Sequence, residues 1–589
     1  MDVKKMRDLR QFFRYTATVS WCAASFLAMP LAFTRLTGTP VPLFGVVQLV
    51  TLPVMTLFSL ALLFFFPERL QEIFNSGKLK FPGAAAAIFL LILLFHFFTG
   101  QTAWDNLLAS GFWITTPLAA MVMAEELKKV FPFFASAGAV LLIYSGCMSD
   151  SFTGLAGNWN WLSGMITALL PGIFILHDMP YRRISALSAL AIFFLLFYFF
   201  APEYFPRSAL LGACGAAVLI FIREKVPQKK FDKVLIIFLF TALAAFAVLL
   251  SAVEFSDTRF IIWDGALELF LSSPLTGCGN GMFAEFIRPC LPEAYFFSDF
   301  PAPHIDHAHN DLLNFLAECG IPGAIFYLTV IFSVLRRRAK TPAMELAKWS
   351  FTVMLICGCF DQHNLTVAGA FIFAVSAGMI LAPDRRKRHV QKITIQPLAV
   401  IAGMILSGLA VLESANNFQA TSLIRKADLK LLEYDIDNAV PLYQRSIQYK
   451  VFPAAVYQLS ELHLATGEPE KSLLYIEQLE KECLLTNYRH TQRIKAIAAF
   501  QTGDLPLAAE SLQTELKNAP FSLISADFQR YLLRALNAED EVIRAGDENF
   551  ATLCNMREIT PAEVRDPAFV NIDDGAFPEK TRKEYFRKN

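Results

Sequence analysis

Long apolar runs, separated by short charged stretches, set the pattern of this chain. Thirteen such runs can be placed along it, near residues 16–34, 43–66, 84–99, 106–124, 130–147, 160–176, 184–201, 207–222, 234–253, 321–335, 343–360, 366–382 and 396–413. A helix needs about 20 predominantly apolar residues to cross a bilayer. The pattern therefore predicts an all-α, polytopic membrane protein with about 12 to 13 transmembrane helices.

The charged stretches between these runs are uneven in sign. Those on the side of the N-terminus hold 27 Lys and Arg, whereas those on the opposite side hold four before the last run ends. Because basic residues concentrate in cytoplasmic loops, the bias predicts a cytoplasmic N-terminus. With an odd number of spans, the C-terminal region is then expected on the outer side.

Four regions follow from this topology. They are transmembrane helices over 1–253, a long outer loop over 254–320, further transmembrane helices over 321–413 and an outer helical domain over 414–589. In the last region Ala439, Ser472 and Ala508 recur at intervals of 33 and 36 residues, with Gly467 and Gly503 at turns between helical stretches. This period resembles tetratricopeptide repeats, whose helix pairs bind protein partners. A generic helical domain with chance spacing is the alternative.

Composition supports the membrane assignment and reduces the classes of binding partner to consider. The chain is 55% hydrophobic and 18% charged, with a mean hydropathy of +0.43 and no net charge. Charge balance therefore gives no indication of a nucleic-acid partner. The ten cysteines include no CxxC pair with metal-binding spacing. Cys278 and Cys290 are candidates for a disulfide if their loop faces an oxidising compartment.

Polar residues with catalytic potential concentrate in residues 304–323, HIDHAHNDLLNFLAECGIPG. Gly320 and Pro322 divide the stretch into a surface helix over about 309–319 and a span that begins at 321. Asn310 can cap the first helix. His309 then stands at the positive end of the helix dipole, which favours the neutral imidazole that accepts a proton.

Three other interpretations of this stretch stay open. The histidines can be ordinary surface residues, which is the interpretation adopted for His304. A proton relay of a transporter is disfavoured because the predicted spans contain few acids and histidines. A zinc site is the third, although its spacing matches no known motif; it would draw on His304, Asp306, His307, His309 and Asp311.

Two arginines on the outer side add to the candidate site. Arg207 follows Pro206 at the start of a predicted span, where a guanidinium can also simply extend to the lipid headgroups. Arg259 lies near the start of a predicted amphipathic helix over 258–272, whose apolar side contains Trp263. Three glycines after that helix, Gly277, Gly279 and Gly281, predict a mobile turn.

The residues His309-Asn310, nine residues and Gly320-Ile-Pro-Gly323 resemble the motif of the O-antigen ligase and polymerase superfamily, which includes bacterial O-linked oligosaccharyltransferases. Arg259 and the glycine turn resemble the family's long periplasmic loop, and Arg207 resembles an arginine that precedes a small-residue helix in its members. Pro206 departs from the serine common before that arginine. The resemblance covers roughly residues 200–382 and does not extend to the tail.

The resemblance implies a GT-C-like glycosyltransferase of the bacterial inner membrane, with its catalytic loop and C-terminal domain in the periplasm. Such enzymes take a glycan from undecaprenyl diphosphate and need neither a metal nor another cofactor. Arg207 and Arg259 are then expected to bind the diphosphate, and His309 to take the acceptor proton with inversion of the anomeric carbon. The expected substrate-binding residues are His307, Asn310, Asp311 and Glu318.

The acceptor and two other classes of function stay open. Lipid A core would define a ligase, a glycan chain a polymerase, and a protein hydroxyl an oligosaccharyltransferase. The repeat-like tail slightly favours a protein acceptor or a protein partner. A non-catalytic glycan-binding scaffold and a lipid-glycan transporter are the alternatives from other classes.

Overall fold

The computed structural model describes residues 11–22, 44–76, 80–147, 159–176, 182–200, 205–233, 258–296, 305–361, 367–383 and 397–557. Within these ranges the chain forms helices and turns and no β-strand, which confirms the all-α, polytopic fold class. The predicted span near 234–253, most of the one near 16–34, His304 and the residues after 557 lie outside the described ranges.

The first half of the described chain is a succession of apolar helices. Four helices in the described residues are long and apolar enough to cross a membrane alone, and a bent pair, Leu52–Phe65 with Pro67–Asn75, makes up to five. Shorter apolar helices account for further predicted spans. The helices before the outer loop are Phe44–Phe65, Pro67–Asn75, Lys80–Phe98, Trp104–Val122, Ala124–Cys147, Trp159–Leu169, Pro171–Leu176, Arg182–Phe200 and Arg207–Lys225.

Small residues let the helices that surround the candidate site pack closely. The helix Arg207–Lys225 packs against Pro342–Gly358, which also packs against Val367–Leu381. A Cβ added at Gly212 would lie 3.2 Å from the carbonyl oxygen of Val353. Because membrane helices associate mainly through such close contacts, this pair is fixed in register. The end of the bundle that bears Arg207 is called the site end, and the opposite one, which bears Arg223, the basic end.

The outer loop folds around its own small core. Its helices are Thr258–Ser272, Phe283–Phe286, Arg288–Cys290 and Glu293–Phe296. The first has the bounds predicted from the sequence, and Trp263, on its predicted apolar side, is buried in this core. The helix therefore packs on the loop core through Ile261, Ile262 and Trp263.

The helix that follows the loop is broken where the sequence predicts. It spans Asp311–Leu335, and Gly320 inside it has φ of 61° and ψ of −158°, outside the helical region. The first part therefore ends at Gly320, and Pro322 stands in the first turn of the second part. The candidate polar residues belong to the first part, and in the apolar second part Phe326 stacks on Phe89 of the helix Lys80–Phe98.

The C-terminal region is a series of helices that pack in sequence. The long helix Pro397–Leu432 leads into Ile436–Tyr449, Pro453–Ala465, Pro469–Glu482, Thr491–Gln501, Leu505–Asn518, Leu523–Ala535 and Asp540–Arg557. Ala439, Ser472 and Ala508 are each the fourth residue of a helix and are fully buried. The recurrence in the sequence is thus a recurrence of packing; that the repeats are tetratricopeptide-like stays a prediction.

Candidate active site

His309 is held at the junction of two helix ends. Its φ of 51° lies in the left-handed region, which non-glycine residues seldom adopt. Next to it, Asn310 caps the helix Asp311–Leu335: its Oδ1 accepts the N–H of Leu313 at 3.1 Å, which confirms the predicted cap. Its Nδ2 donates to the carbonyl of Cys359 at 2.9 Å. Asn310 therefore ties the start of this helix to the end of Pro342–Gly358.

Asp361 links the histidine to one of the two arginines. The carboxylate is buried and its Oδ1 lies 3.3 Å from Nδ1 of His309. Its Oδ2 lies 4.0 Å from Nη2 of Arg259, and Nη1 of Arg259 donates to the carbonyl of Phe360 at 3.3 Å. A carboxylate in this position can orient the imidazole and stabilise it after it takes a proton.

Sequence reasoning did not assign Asp361 to the site. It is 52 residues from His309 in the chain, and the sequence placed it only at the outer end of a predicted span. That position was the available signal, because an acid at the same membrane face as a candidate base can pair with it.

Arg207 lies at the same end of the bundle as these residues. It is exposed, and its side chain forms no hydrogen bond or ion pair with any residue that the structure describes. The next residue, Ser208, accepts a hydrogen bond from the thiol of Cys357 at 3.5 Å. Cys357 in turn accepts the N–H of Asp361 at 3.0 Å. This chain of contacts puts Arg207 on the site end together with Arg259 and His309.

The glycine turn packs on the break in the helix Asp311–Leu335. The N–H of Cys278 donates to the carbonyl of Ala317 at 2.9 Å, and that of Gly279 to Glu318 at 3.2 Å. A Cβ at Gly277, whose φ is 79°, would lie 2.3 Å from the carbonyl carbon of Glu318. These glycines allow a left-handed backbone and a close approach of the two segments, and mobility of the turn stays a prediction.

Gly320 meets the same turn from the other side. The N–H of Ile321 donates to the carbonyl of Pro274 at 2.9 Å. A Cβ at Gly320 would lie 2.6 Å from that carbonyl oxygen, in addition to its positive φ. At Gly323 a Cβ would lie 2.5 Å from the Cβ of Cys319. Both glycines of the motif are therefore required by packing around the break.

The four predicted substrate-binding residues make contacts within the protein. His307 is buried with its ring centre 4.9 Å from that of His309. Asp311 accepts a hydrogen bond from the hydroxyl of Tyr327 at 3.2 Å. Glu318 faces the N–H groups of Gly281 and Phe283 across the glycine turn, and Asn310 is the cap described above. Each contact supports the local fold, and a role in substrate binding stays a prediction for all four.

The structure bears on the candidate disulfide and on the hypothetical zinc site. Cys278 and Cys290 are free thiols in the structure. Burial raises the pKa of both, so both are protonated at neutral pH. No group of three or more His, Cys, Asp or Glu among the described residues is arranged to hold a metal ion. His304, one residue of the hypothetical zinc site, lies outside those residues.

Taken together, the fold and the site define a multi-pass membrane protein with a histidine, a carboxylate and two arginines at one end of its helix bundle. The sequence model of the O-antigen ligase family matches residues 31–328, and the chain belongs to this family. Its class of activity is that of an O-antigen ligase- or polymerase-type membrane glycosyltransferase. No curated protein and no solved structure matches the chain. Asp361 and the C-terminal domain lie beyond the matched residues.

Proposed function

We propose that this protein transfers a glycan from undecaprenyl diphosphate to a hydroxyl of lipid A core or a similar acceptor. The reaction takes place at the periplasmic face of the bacterial inner membrane. The observation that carries the proposal is the link from His309 through Asp361 to Arg259, at the end of the bundle that also bears Arg207. It joins a proton acceptor to groups that suit a diphosphate.

His309 acts as the general base. If Nδ1–H donates to Asp361, as the 3.3 Å separation favours, Nε2 carries the lone pair that takes the acceptor's proton. Asp361 then stabilises the imidazolium formed in the step. Because its side chain is buried, this carboxylate is shielded from solvent, and its charge acts more strongly than an exposed one would.

The arginines bind the leaving group. A guanidinium can donate two parallel hydrogen bonds to phosphate oxygens. Arg259 lies 4.0 Å from Asp361 and 40% of its side chain is accessible, so a diphosphate can reach its guanidinium from the solvent side. Arg207 is exposed on the same end. Two positive charges at the diphosphate stabilise the negative charge that develops there during transfer.

The step balances without a further reactant. The acceptor oxygen attacks the anomeric carbon from the face opposite the diphosphate, and a new C–O bond forms. The bond between the anomeric carbon and the diphosphate oxygen breaks, and its electron pair leaves with undecaprenyl diphosphate. The acceptor's proton moves to Nε2 of His309. The anomeric carbon is inverted, and the arginines supply the charge for which other enzymes use a metal.

Reconstituted transfer tests this proposal. The purified full-length protein in liposomes is given an undecaprenyl diphosphate-linked glycan and lipid A core, with chelator present. Glycosylated acceptor and free undecaprenyl diphosphate should appear in equal amounts. His309→Ala should lower the rate by about 10² to 10⁴, the usual share of a general base. Arg336→Ala, which alters an arginine paired with Asp232 at the basic end, is the control and should transfer normally.

The same assay separates the alternatives. Transfer to a glycan chain or to a protein hydroxyl, with lipid A core left unmodified, would replace the ligase by a polymerase or an oligosaccharyltransferase. Donor binding without release of undecaprenyl diphosphate would contradict an enzyme and favour a scaffold. Movement of labelled carrier lipid between leaflets without transfer would favour a transporter.

A further inference from the structure

The outer loop buries a carboxylate that is satisfied entirely by the C-terminal domain. Glu285, in the helix Phe283–Phe286, is 2% exposed. It accepts the N–H of Thr486 at 3.0 Å and that of Asn487 at 2.8 Å, together with the hydroxyl of Thr486 and the side-chain amide of Asn487 at 2.9 Å. A buried carboxylate without partners would strongly destabilise the protein. The burial of Glu285 therefore depends on the turn that contains Thr486 and Asn487.

An apolar contact joins the same two regions. The ring of Phe521, in the C-terminal domain, lies 5.4 Å from that of Phe296 in the outer loop. Phe521 and Met556 pack against the loop core, which contains Trp263 and Ala308. Trp263 belongs to the helix that carries Arg259, and Ala308 immediately precedes His309. The C-terminal domain therefore completes the core on which both active-site residues rest.

Charges on the two sides of the contact also complement each other. The buried Glu515 of the C-terminal domain accepts from Nδ1 of His490 at 2.7 Å. Burial alone would raise the pKa of Glu515, but the bond to His490 and the nearby Arg493 and Arg288 lower it. Arg288 belongs to the outer loop and is itself buried. The loop thus places a guanidinium beside a carboxylate of the C-terminal domain, as well as a carboxylate against its backbone.

We propose that the C-terminal helical domain is a positioning element of the active site, with Glu285 as the residue through which it holds the outer loop. The carboxylate binds the turn that contains Thr486 and Asn487. The contact continues from the helix Phe283–Phe286 into the glycine turn, and from there into the helix that begins after His309. The kinetic part of this inference rests on the proposed glycan transfer; the structural part does not.

Loss of the contact has a specific consequence. The loop core would loosen beneath Arg259 and Ala308, and His309 would lose its fixed position beside Asp361. A misplaced base slows the chemical step more than it weakens donor binding. Glu285 touches neither of the proposed phosphate-binding arginines in the described structure, so its replacement should lower kcat and leave KM for the donor nearly unchanged.

Hydrogen exchange and kinetics on the full-length protein in nanodiscs test the proposal together. In Glu285→Ala, the amides of Thr486 and Asn487 should exchange at least about tenfold faster. Transfer should show a kcat lower by about tenfold or more, with KM for the donor within about threefold. Glu285→Gln keeps one acceptor oxygen, so its exchange rates and its kcat should lie between those of the wild type and those of Glu285→Ala. Glu268→Ala removes an exposed acid from the same loop and should change neither quantity.

Phe521→Ala tests the same interface through a different contact. If Glu285→Ala does not fold, this variant tests whether the C-terminal domain positions the active site. It should raise exchange in residues 286–296 and lower kcat in the same direction. Unchanged exchange at Thr486 and Asn487 in Glu285→Ala would overturn the contact. Faster exchange with wild-type kcat, or a loss confined to KM, would overturn the positioning role. If the wild-type protein transfers no glycan, the proposed function fails while the exchange experiment still decides the contact.

Discussion

The two ends of the helix bundle use their arginines differently. At the basic end Arg336, Arg337 and Lys348 are bound by the protein itself. Arg337 donates to the carbonyls of Ile380 and Ala382 at 2.9 and 3.1 Å, and Lys348 donates to that of Leu335 at 3.0 Å. Arg336 bonds to both oxygens of Asp232, with a shorter contact of 2.9 Å. Their donors close the helix ends, because the last carbonyls of a helix lack partners within it.

The site end has fewer cations, and one of them has no protein partner among the described residues. Arg207 makes no side-chain hydrogen bond or ion pair within the described ranges, and 40% of the Arg259 side chain is accessible. The bonded cations of the basic end therefore serve the fold, and that this end faces the cytoplasm stays a prediction of the positive-inside rule. The smaller group retains the capacity to bind an anion. The number of basic residues in each loop of the sequence predicts topology. Whether the protein itself occupies the donors of each basic side chain indicates where an anionic ligand can bind.

Replacing one arginine at each end tests this difference with the largest expected effect. Arg259→Ala should lower glycan transfer by about 10² to 10³, since a preorganised donor to developing charge is lost. Arg336→Ala is the matched control, because its side chain is 44% exposed and is likewise paired with an aspartate. It should transfer within about threefold of wild type. Equal losses in the two variants, measured in liposomes at equal protein amounts, would contradict the comparison.

Asp361→Asn tests the contact between Asp361 and His309 at the site end. The amide keeps the size of the side chain but removes the charge that orients and stabilises the imidazole of His309. We expect transfer to fall by about 10 to 10² with little change in the KM for the donor. Single-turnover kinetics with saturating donor would isolate the chemical step. A wild-type rate in Asp361→Asn would show that the contact at 3.3 Å is not used in catalysis.

Gly320→Ala tests the break that separates the polar part of the helix from its membrane part. The positive φ and the carbonyl of Pro274 at 2.6 Å both oppose a Cβ. We expect a loss of about 2 kcal/mol or more in stability, visible as a lower thermal midpoint in detergent. Gly408→Ala is the control, because a Cβ there would meet nothing within 4 Å. Equal midpoints for the two variants would mean that the loop tolerates a side chain at the break.

Local features of this site could be predicted from the sequence, because neighbouring residues determine them. The Asn310 cap, the break at Gly320 and the bounds of Thr258–Ser272 follow from capping chemistry, glycine and proline preferences and apolar spacing. The apolar runs also predicted the class of fold. Some predicted spans are matched only by shorter helices, because length along an apolar run does not fix where a helix bends or ends.

Contacts between distant segments could not be predicted in the same way. The pairing of His309 with Asp361 depends on how two helix ends meet, and no periodicity encodes that meeting. The burial of Glu285 against Thr486 and Asn487 joins residues about 200 positions apart. The three glycines predicted a mobile turn because glycine permits many conformations. The close approach of Gly277 to the backbone of Glu318 joins distant segments and is visible only in the fold.

Donor binding measured separately from transfer tests the central claim most directly. Affinity for undecaprenyl diphosphate alone and the rate of glycan transfer are measured for Arg259→Ala and His309→Ala in the same nanodiscs. We predict that Arg259→Ala weakens binding by about tenfold or more, because a charge-assisted bond to phosphate is lost. His309→Ala should bind within about twofold of wild type yet transfer about 10³-fold more slowly. Wild-type binding in Arg259→Ala, or undiminished transfer in His309→Ala, would contradict the account.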